Sequence, residues 1–574
     1  MSTLNYKWTH NLQDKNTTQV LQKSLNIPKN VASLLNSRGV YDYDQAKQFF
    51  RPKLNDFYDP FLMKGMMKAV LRLEKAIKLK ENIAVYGDYD VDGTCSVAMF
   101  SRFLNHFSKN VHFYQPDRHK EGYGISLESV EWMALKQINL VVALDCGIRD
   151  FKAAKQIKEA NIDLIICDHH MIGDELPESL AILNPKQDDC GYPFKDLCGC
   201  GIGFKFIQAY SKYHNLNIDL DEFIQFAAIA TAADVVPLTE ENRWILKLGI
   251  EVLNKSPLLC FKDMFFNAKR QKTIESSDLV FAIAPRINAA GRLSHALRAT
   301  EMLMDDNFKT LKPKVQFIEK INKERKEVDE KITEEALLQI KNQKEKKATN
   351  VAYGEKWHKG VVGIVASRLM ESYYRPTVVL CKDGGNITGS ARSVKDFDVY
   401  EILNGINDLF ERFGGHKYAA GLTMKEENLN EFIKRFDAEV SKKITNEQLI
   451  PELKIDGVIS FSDLENDKLN TPMPKLFRLI EQMAPFGPAN PRPNFLIKNL
   501  VDTGNSKVVG QKHLKLQLKE KDNNKYIDGI WFNNSKMLSE IQKAESFSLV
   551  ANLSANTYMG KTKLQLMVKD IKLD

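Results

Sequence analysis

The sequence lacks any long hydrophobic run. Its longest uncharged apolar stretch, residues 223–233, is too short to span a bilayer. The first residues, MSTLNYKWTHNLQDKNTT, contain no apolar stretch behind a basic segment, which a secretory signal requires. We therefore expect no membrane segment and a cytoplasmic location.

Paired cysteines are also lacking. The eight cysteines contain no CxxC pair and form no even disulfide framework, so we expect reduced thiols, as in cytoplasmic chains. They are Cys95, Cys146, Cys167, Cys190, Cys198, Cys200, Cys260 and Cys381. The trio of Cys190, Cys198 and Cys200 is a candidate thiolate site, but its irregular spacing favours plain packing.

No sign of charge dominates the chain. The 81 basic residues nearly balance the 74 acidic ones, and the net charge of +7 permits a polyanionic partner without proving one. At 574 residues, the chain is too long for one hydrophobic core and predicts several domains. A hydrophobic content of 43% excludes collagen, mucin and extended disorder.

Alternating patterns predict the domain organisation. Short β-branched runs at 83–86, 111–114, 140–144 and 164–167 alternate with stretches of helical spacing, which predicts a parallel α/β sheet. Residues 315–347 contain no Gly or Pro and only a thin apolar stripe, so we predict one long, solvated connecting helix. A second α/β pattern follows, and short alternating segments after residue 451 predict a small β-barrel.

The predicted boundaries follow from these changes in pattern. They are an N-terminal helical extension at 1–75, a first α/β domain at 76–305, the connecting helix at 306–348, a second α/β domain at 349–450, and the barrel at 451–574.

Carboxylates and imidazoles follow predicted strands or an apolar segment at four places. These are Asp88, Asp90 and Asp92 in GDYDVDG, Asp145 after VVAL, His169 and His170 in DHH, and Asp234 after AAIATAA. The carboxyl ends of parallel strands line one crevice, so these side chains should converge. Clustered carboxylates repel one another unless divalent cations neutralise them, so the pattern predicts a metal centre.

Oxygen ligands with one imidazole favour Mn²⁺ or Mg²⁺ over Zn²⁺. Two such ions about 3.5–4 Å apart can activate water and stabilise a displacement at phosphorus, which predicts hydrolysis of a phosphate ester or anhydride. His170 could then donate a hydrogen bond or proton to the phosphoryl oxygen or leaving group. A calcium loop is excluded, because its twelfth position needs Glu and here holds Met99.

A glycine-rich turn offers a weaker signal. Gly199, Gly201 and Gly203 should precede a helix starting near Phe204, whose backbone amides could reach a phosphate.

Eight motifs occur in a fixed order: YGDYDVDG, ALDCG, CDHH, ADVVPL, APRINAAGRL, HKGVVGIVASRL, TGSARS and GGHKYAAG. With PDRHKEGYG at 116–124, they resemble the DHH phosphoesterase superfamily, and within it the bacterial exonucleases specific for single-stranded DNA. The resemblance covers roughly residues 50–574. It implies a DHH domain and a DHHA1 domain around a central groove, a C-terminal OB-fold, and 5′-to-3′ degradation of single-stranded DNA in recombination and repair.

The resemblance also implies roles for individual residues. Two Mn²⁺ or Mg²⁺ ions would be held by Asp88, Asp90, Asp92, Asp145, His169 and Asp234, with His170 near the scissile phosphate. Asp90 and Asp145 would share the catalytic work with His170, and Asp88 stays open as a direct or an indirect ligand. A terminal phosphate would be bound by Ser390, Arg392 and His416, with contributions from Arg292 and His358. Ala391 stands where Gly is as often expected, which matters only if φ there is positive.

The implied partners, besides single-stranded DNA, are a single-strand-binding protein and a RecQ-type helicase, and we expect a monomer. One alternative is a phosphodiesterase of the same superfamily that acts on small molecules or short oligonucleotides, but the barrel favours a polymer. Another is a non-catalytic nucleic-acid-binding or scaffold protein. The presence of all six expected ligands argues against that alternative.

Overall fold

The computed structural model describes residues 5–11, 15–270, 272–343, 347–465, 473–523 and 525–574. The chain divides into two compact units. The first unit comprises Asp42–Lys323 and Gln482–Arg492, and the second comprises Met1–Tyr41, Glu324–Glu481 and Pro493–Asp574. Among the helices of the described ranges, none has the length and apolar character needed to cross a bilayer.

The first unit is built on a five-stranded parallel sheet, here called the central sheet. Its strands lie in the order Val111–Tyr114, Ile83–Gly87, Leu140–Leu144, Asp163–Cys167 and Ala181–Leu183. The inner strands are short, apolar and buried, as a sheet covered by helices on both faces requires. The four predicted strands are confirmed. The fifth was missed because three residues carry no readable periodicity.

Helices enclose the central sheet on both faces. They are Tyr43–Phe50, Met66–Lys78, Val91–Asn105, Leu127–Leu135, Phe151–Glu159, Gly199–Tyr213, Asp221–Ala233, Glu240–Lys255, Leu259–Asn267, Ser276–Asp278, Ala284–Leu293 and Leu297–Leu303. A π-helical turn at Leu279–Ile283 joins Ser276–Asp278 to Ala284–Leu293. Phe100, Phe103 and Phe223 form part of the larger core on one face, and Tyr86 and Met133 lie in a smaller core on the other.

The segment Gln482–Arg492 belongs to the first unit, although the predicted barrel domain included it. The buried guanidinium of Arg243 donates to the carbonyl of Pro485 at 3.2 Å and to that of Ala484 at 3.1 Å. Such a contact between distant parts of the chain leaves no trace in local pattern.

The second unit contains a five-stranded mixed sheet. Its strands lie in the order Phe410–His416, Ala419–Lys425, Asn386–Arg392, Thr377–Asp383 and Asn350–Gly354. The helices of this unit are Lys15–Leu25, Lys29–Asn36, Val362–Tyr373, Val399–Asn404, Leu429–Lys443, Lys475–Gln482 and Leu538–Lys543. This arrangement confirms the second α/β domain.

The predicted barrel is confirmed. Five strands form a closed ring in the order Phe495–Asp502, Phe547–Tyr558, Lys561–Leu573, Tyr526–Trp531 and His513–Glu520, and the last pairs back with the first. Two short strands, Gly457–Val458 and Lys507–Val509, extend the ring.

The N-terminal region differs from the helical extension predicted at 1–75. The strand Lys7–His10 pairs in parallel with Glu452–Ile455 in the second unit. The residues from Asp42 onwards belong instead to the first unit. The pairing joins positions far apart in sequence, so neither segment predicts it alone.

The long helix spans Phe308–Lys341. It lies within the predicted connecting segment 306–348, starts before the pattern that begins at 315, and ends before the expected limit at 347. Part of that predicted end, residues 344–346, lies outside the described residues. Its interpretation as a solvated connector was incomplete. Leu311 and Val315 join the core of the first unit, while Ile332 and Ala336 join a core of the second.

Candidate metal centre

Three neighbouring strands of the central sheet deliver side chains at their carboxyl ends. Asp88 follows Ile83–Gly87, Asp145 follows Leu140–Leu144, and His169 lies just past Asp163–Cys167. The backbone of Asp145 has a φ of +62°, in the left-handed region that non-glycine residues usually avoid. Strain of this kind, about 1–3 kcal/mol, concentrates at functional sites.

Two further carboxylates lie at the start of the helix Val91–Asn105. Asp90 caps it and accepts a hydrogen bond from the amide of Gly93 at 3.1 Å. Asp92 is buried in its first turn and accepts from the amides of Gly199 at 2.6 Å and Cys200 at 2.7 Å.

Those two amides correct the interpretation of the glycine-rich turn. The helix begins at Gly199 rather than near Phe204, so Gly199, Gly201 and Gly203 lie inside it. Its first-turn amides bind the carboxylate of Asp92 instead of reaching a phosphate. A Cβ atom at Gly199 would lie 2.5 Å from the Cβ of Asp145, so the close approach requires glycine.

Asp234 comes from a helix and not from a strand. It is the C-cap of Asp221–Ala233, where the helix dipole disfavours negative charge. Burial, with the charges of Asp92 and Asp90, raises the pKa of Asp234 to about 9. An acidic residue in so unfavourable a position indicates a compensating cation.

The side chains expected to bind metal converge. The Nε2 atom of His169 lies 3.2 Å from Oδ1 of Asp145, 3.6 Å from Oδ2 of Asp234 and 4.0 Å from Oδ2 of Asp92. Three overlapping sets each have their ligand atoms within 4.8 Å of one another. They are Asp92 with His169 and Asp234, Asp88 with Asp90 and Asp145, and Asp145 with His169 and His170.

The electrostatics of the cluster fit divalent cations. Burial raises the pKa of Asp88 and Asp145 well above its usual value, raises that of Asp92 to about 7, and lowers that of His169 to about 3. Within the described part of the chain, Oδ1 of Asp88, Oδ2 of Asp234 and Nε2 of His169 are buried without a hydrogen-bond partner. Unsatisfied buried atoms are costly, and bound cations would remove that cost.

Thiolates take no part in the cluster. The Sγ atom of Cys198 accepts the amide of Gly201 at 3.3 Å, and Cys190, Cys198 and Cys200 are buried in the core. Burial raises the pKa of the Cys198 and Cys200 thiols well above its usual value. Plain packing of these cysteines is confirmed, and the remaining donors suit Mn²⁺ or Mg²⁺.

His170 has a partner that sequence reasoning missed. Its Nδ1 lies 2.7 Å from Oδ1 of Asp168, a buried carboxylate that also accepts the amide of Ile148 at 3.0 Å. Burial lowers the pKa of His170, but the hydrogen bond and charge of Asp168 outweigh it and raise the pKa. Burial likewise opposes ionisation of Asp168, but its contacts with His170 lower the pKa to about 2. Asp168 is the first letter of DHH, but the motif alone does not show that its carboxylate pairs with His170.

The loop that carries PDRHKEGYG borders the cluster. The hydroxyl of Tyr123 lies 3.1 Å from both the carbonyl oxygen of Asp145 and Nδ1 of His170. The guanidinium of Arg118 lies 5.0 Å from the ring centre of Tyr89. Tyr89 stands between Asp88 and Asp90 in the sequence. Neither Tyr123 nor Arg118 stands out in the sequence pattern as a site residue.

Arg292 lies beside this loop. Its carbonyl oxygen is 3.1 Å from Nε2 of His119, and a Cβ atom at Gly291 would lie 2.7 Å from the carbonyl of Tyr89. The end of the helix Ala284–Leu293 therefore packs against the acidic cluster.

The candidate phosphate residues of the second unit are partly brought together. Nη1 of Arg392 donates to Oγ of Ser390 at 2.8 Å, and both side chains approach Gly363 in the first turn of Val362–Tyr373. His416 pairs with Ala419, which pairs with Arg392 on its other side, so His416 lies two strands away. His358 accepts the amide of Gly360 at 3.0 Å. Ala391 is buried and is not among the residues with positive φ.

Three family models match the chain. They are the DHH family N-terminal domain at residues 82–231, the DHHA1 domain at 346–442, and the RecJ OB domain at 455–570.

Full-length relatives and a solved structure are also similar. The single-stranded-DNA-specific exonuclease RecJ of Bacillus subtilis is 36% identical over 568 residues, covering 98% of this chain and 70% of the relative. That of Escherichia coli is 29% identical and covers 95% and 96%. The crystal structure of RecJ in complex with Mn²⁺ from Thermus thermophilus matches with a TM-score of 0.84 at 25% identity, over 99% of this chain and 80% of the other.

Proposed function

Because the chain belongs to the RecJ family of single-stranded-DNA-specific exonucleases, we propose that it removes nucleotides from the 5′ end of single-stranded DNA with two Mn²⁺ or Mg²⁺ ions. The observation that carries the proposal is the buried cluster in which His169 lies within 4.0 Å of three carboxylates. Because several buried atoms of the cluster have no hydrogen-bond partner, the cluster needs cations. The choice of single-stranded DNA as the substrate rests on family membership.

We assign the six ligands to two ions. Asp92, His169 and Asp234 would hold one, Asp88 and Asp90 the other, and Asp145 is close to both sets. When bound, such ions would supply a water that is nucleophilic near neutral pH and positive charge to offset the charge that develops on the phosphate oxygens.

The neighbouring residues then have distinct tasks. The hydrogen bond and charge of Asp168 raise the pKa of His170 and so favour its charged form, which can donate a proton to the phosphoryl oxygen or leaving group. The hydroxyl of Tyr123 lies beside both His170 and the backbone of Asp145 and so limits the motion of the imidazole. Arg292, next to the cluster, suits a phosphate of the bound strand.

The second unit supports the choice of a 5′ end. Ser390 and Arg392 lie beside the first turn of a helix, which together form a site suited to a terminal phosphate dianion. We assign His416 and His358 to the same phosphate. The barrel supports a polymeric substrate, because OB-folds bind single strands with stacking and basic side chains.

The test uses single-stranded, duplex and dinucleotide substrates labelled at either end, with Mn²⁺, Mg²⁺ or EDTA. We expect a 5′ label to be released at once as mononucleotide and a 3′ label to stay on shortening strands. Preference for dinucleotides, activity that survives chelation, or early release of the 3′ label would contradict the proposal.

We further propose that the chain acts in the cytoplasm as a monomer, on strands that a RecQ-type helicase opens and a single-strand-binding protein covers. Family membership and the buried, reduced cysteines support this setting. Light scattering of the full chain and co-purification with each protein measure these associations.

We also retain the domain limits 76–305, 349–450 and 451–574 as a proposal, with Gln482–Arg492 reassigned to the first unit. Limited proteolysis tests them.

A further inference from the structure

One helix of the first unit is buried except along a single line. Of residues 282–291, all of which the structure describes, only Pro285 and Asn288 are not buried. Phe281 precedes this stretch and Arg292 follows it, and both are accessible. The spacing of four, three and four residues puts all four on one helical face. The result is a narrow accessible stripe, here called the 281–292 stripe.

The stripe starts at the metal cluster. Gly291 packs against the backbone of Tyr89, between Asp88 and Asp90. At 1.5 Å per residue, Phe281 lies about 16 Å along the helix from Arg292. A stacked single strand advances about 3.4 Å per nucleotide, so roughly five nucleotides cover this distance.

The far end of the stripe is shaped by a π-helical turn. Pro285 has no N–H and cannot bond to the carbonyl of Phe281, as an α-helix requires. The amide of Ala284 instead bonds to the carbonyl of Leu279, and the widened turn covers Leu279–Ile283. Turns of this kind recur at functional sites.

Phe281 lies within that turn and is 72% exposed. Its neighbours Leu279, Ala282 and Ile283 are buried, so the turn is firmly packed and not frayed. A phenyl ring that stays exposed buries little apolar surface and so contributes little to the stability of the fold. It is, however, a suitable platform on which a nucleobase can stack.

We propose that the 281–292 stripe carries the single strand away from the metal cluster, and that Phe281 stacks on one of its bases. This inference rests on the proposed function and adds a strand contact outside the reacting site. Stacking is indifferent to sequence because every base has a π-face. Phe281 should therefore strengthen the binding of any strand long enough to reach it, whatever its base sequence.

The experiment compares a trinucleotide, too short to reach Phe281, with a 12-nucleotide strand, and measures KM and kcat of the full chain with Mn²⁺. We expect Phe281→Ala and Phe281→Leu to raise KM for the longer strand about five- to hundredfold, with kcat unchanged. Neither should affect kcat/KM for the trinucleotide. Phe281→Trp, which keeps an aromatic face, should behave as the wild type.

Tyr213→Ala is the matched control. Tyr213 is 41% exposed and ends a helix whose first turn contacts Asp92, so it lies at the opposite end of that helix from the cluster. Its loss should leave both substrates unaffected. An unchanged KM in Phe281→Ala, an equal loss on the trinucleotide, or full affinity in Phe281→Leu would overturn the inference. If the wild type itself fails to degrade single strands, the proposed function falls instead.

Discussion

Replacing Gly199 by Ala tests how tightly the metal cluster is packed. The new methyl carbon would lie 2.5 Å from Cβ and 2.8 Å from Cα of Asp145. Ordinary carbon contacts are about 3.5–4.0 Å, so Asp145 or the helix Gly199–Tyr213 must move by roughly 1 Å. The amide of Gly199 also anchors Asp92, so the movement disturbs two expected ligands at once.

The expected loss is large in turnover and moderate in stability. A misplacement of about 1 Å costs on the order of 10²-fold in rate, and overpacking costs about 1–3 kcal/mol of unfolding free energy. We therefore expect Gly199→Ala to lower kcat on 5′-labelled single strands about a hundredfold while the chain remains folded. Turnover is measured with saturating Mn²⁺, and folding by thermal unfolding.

Gly201→Ala is the matched control on the same helix. Its methyl carbon would meet Leu197 at 3.4 Å, an ordinary contact, so activity should stay close to the wild type. Equal kcat for the Gly199 and Gly201 variants would refute the packing argument. So would a loss in Gly199→Ala that merely follows its unfolded fraction.

Three further outcomes are expected. Asp145→Ala and His169→Ala should each abolish turnover without unfolding the chain, and normal cleavage by either would contradict the ligand assignment. Asp168→Asn should lower kcat roughly 10²-fold with little change in KM, since His170 loses the hydrogen-bond partner that favours its charged form; a change confined to KM would contradict this. The pKa of Asp234 is raised from 3.8 to about 9, so the folded state binds the extra proton and metal-free stability should fall as pH rises between these values. Thermal unfolding in EDTA should show this fall, and Asp234→Asn should reduce it; a pH-independent melting temperature would count against it.

Sequence pattern alone predicted the central sheet and the barrel because both depend on local alternation. Buried parallel strands appear as short β-branched runs, and barrel strands alternate with a period of two. The convergence of Asp88, Asp145 and His169 was equally predictable, since each closely follows a strand and parallel strands end at one edge.

The partners of those residues were not predictable. Asp168 was named in a motif, but its bond to His170 depends on how the loop turns after the strand. The amide of Gly199 binds Asp92, which lies more than a hundred positions earlier in the sequence. The sequence pattern also predicts the start of this helix near Phe204, whereas the helix begins at Gly199.

Sequence by itself thus determined four strands of the central sheet, the barrel, and which carboxylates and imidazoles are available for metal, because these follow from local periodicity and motif. Tertiary structure alone decided the pairing of Lys7–His10 with Glu452–Ile455 and the docking of Gln482–Arg492 against Arg243. It also decided the exposure of Phe281. Each of these depends on contacts between distant residues, whose free energy is gained only when the whole chain packs.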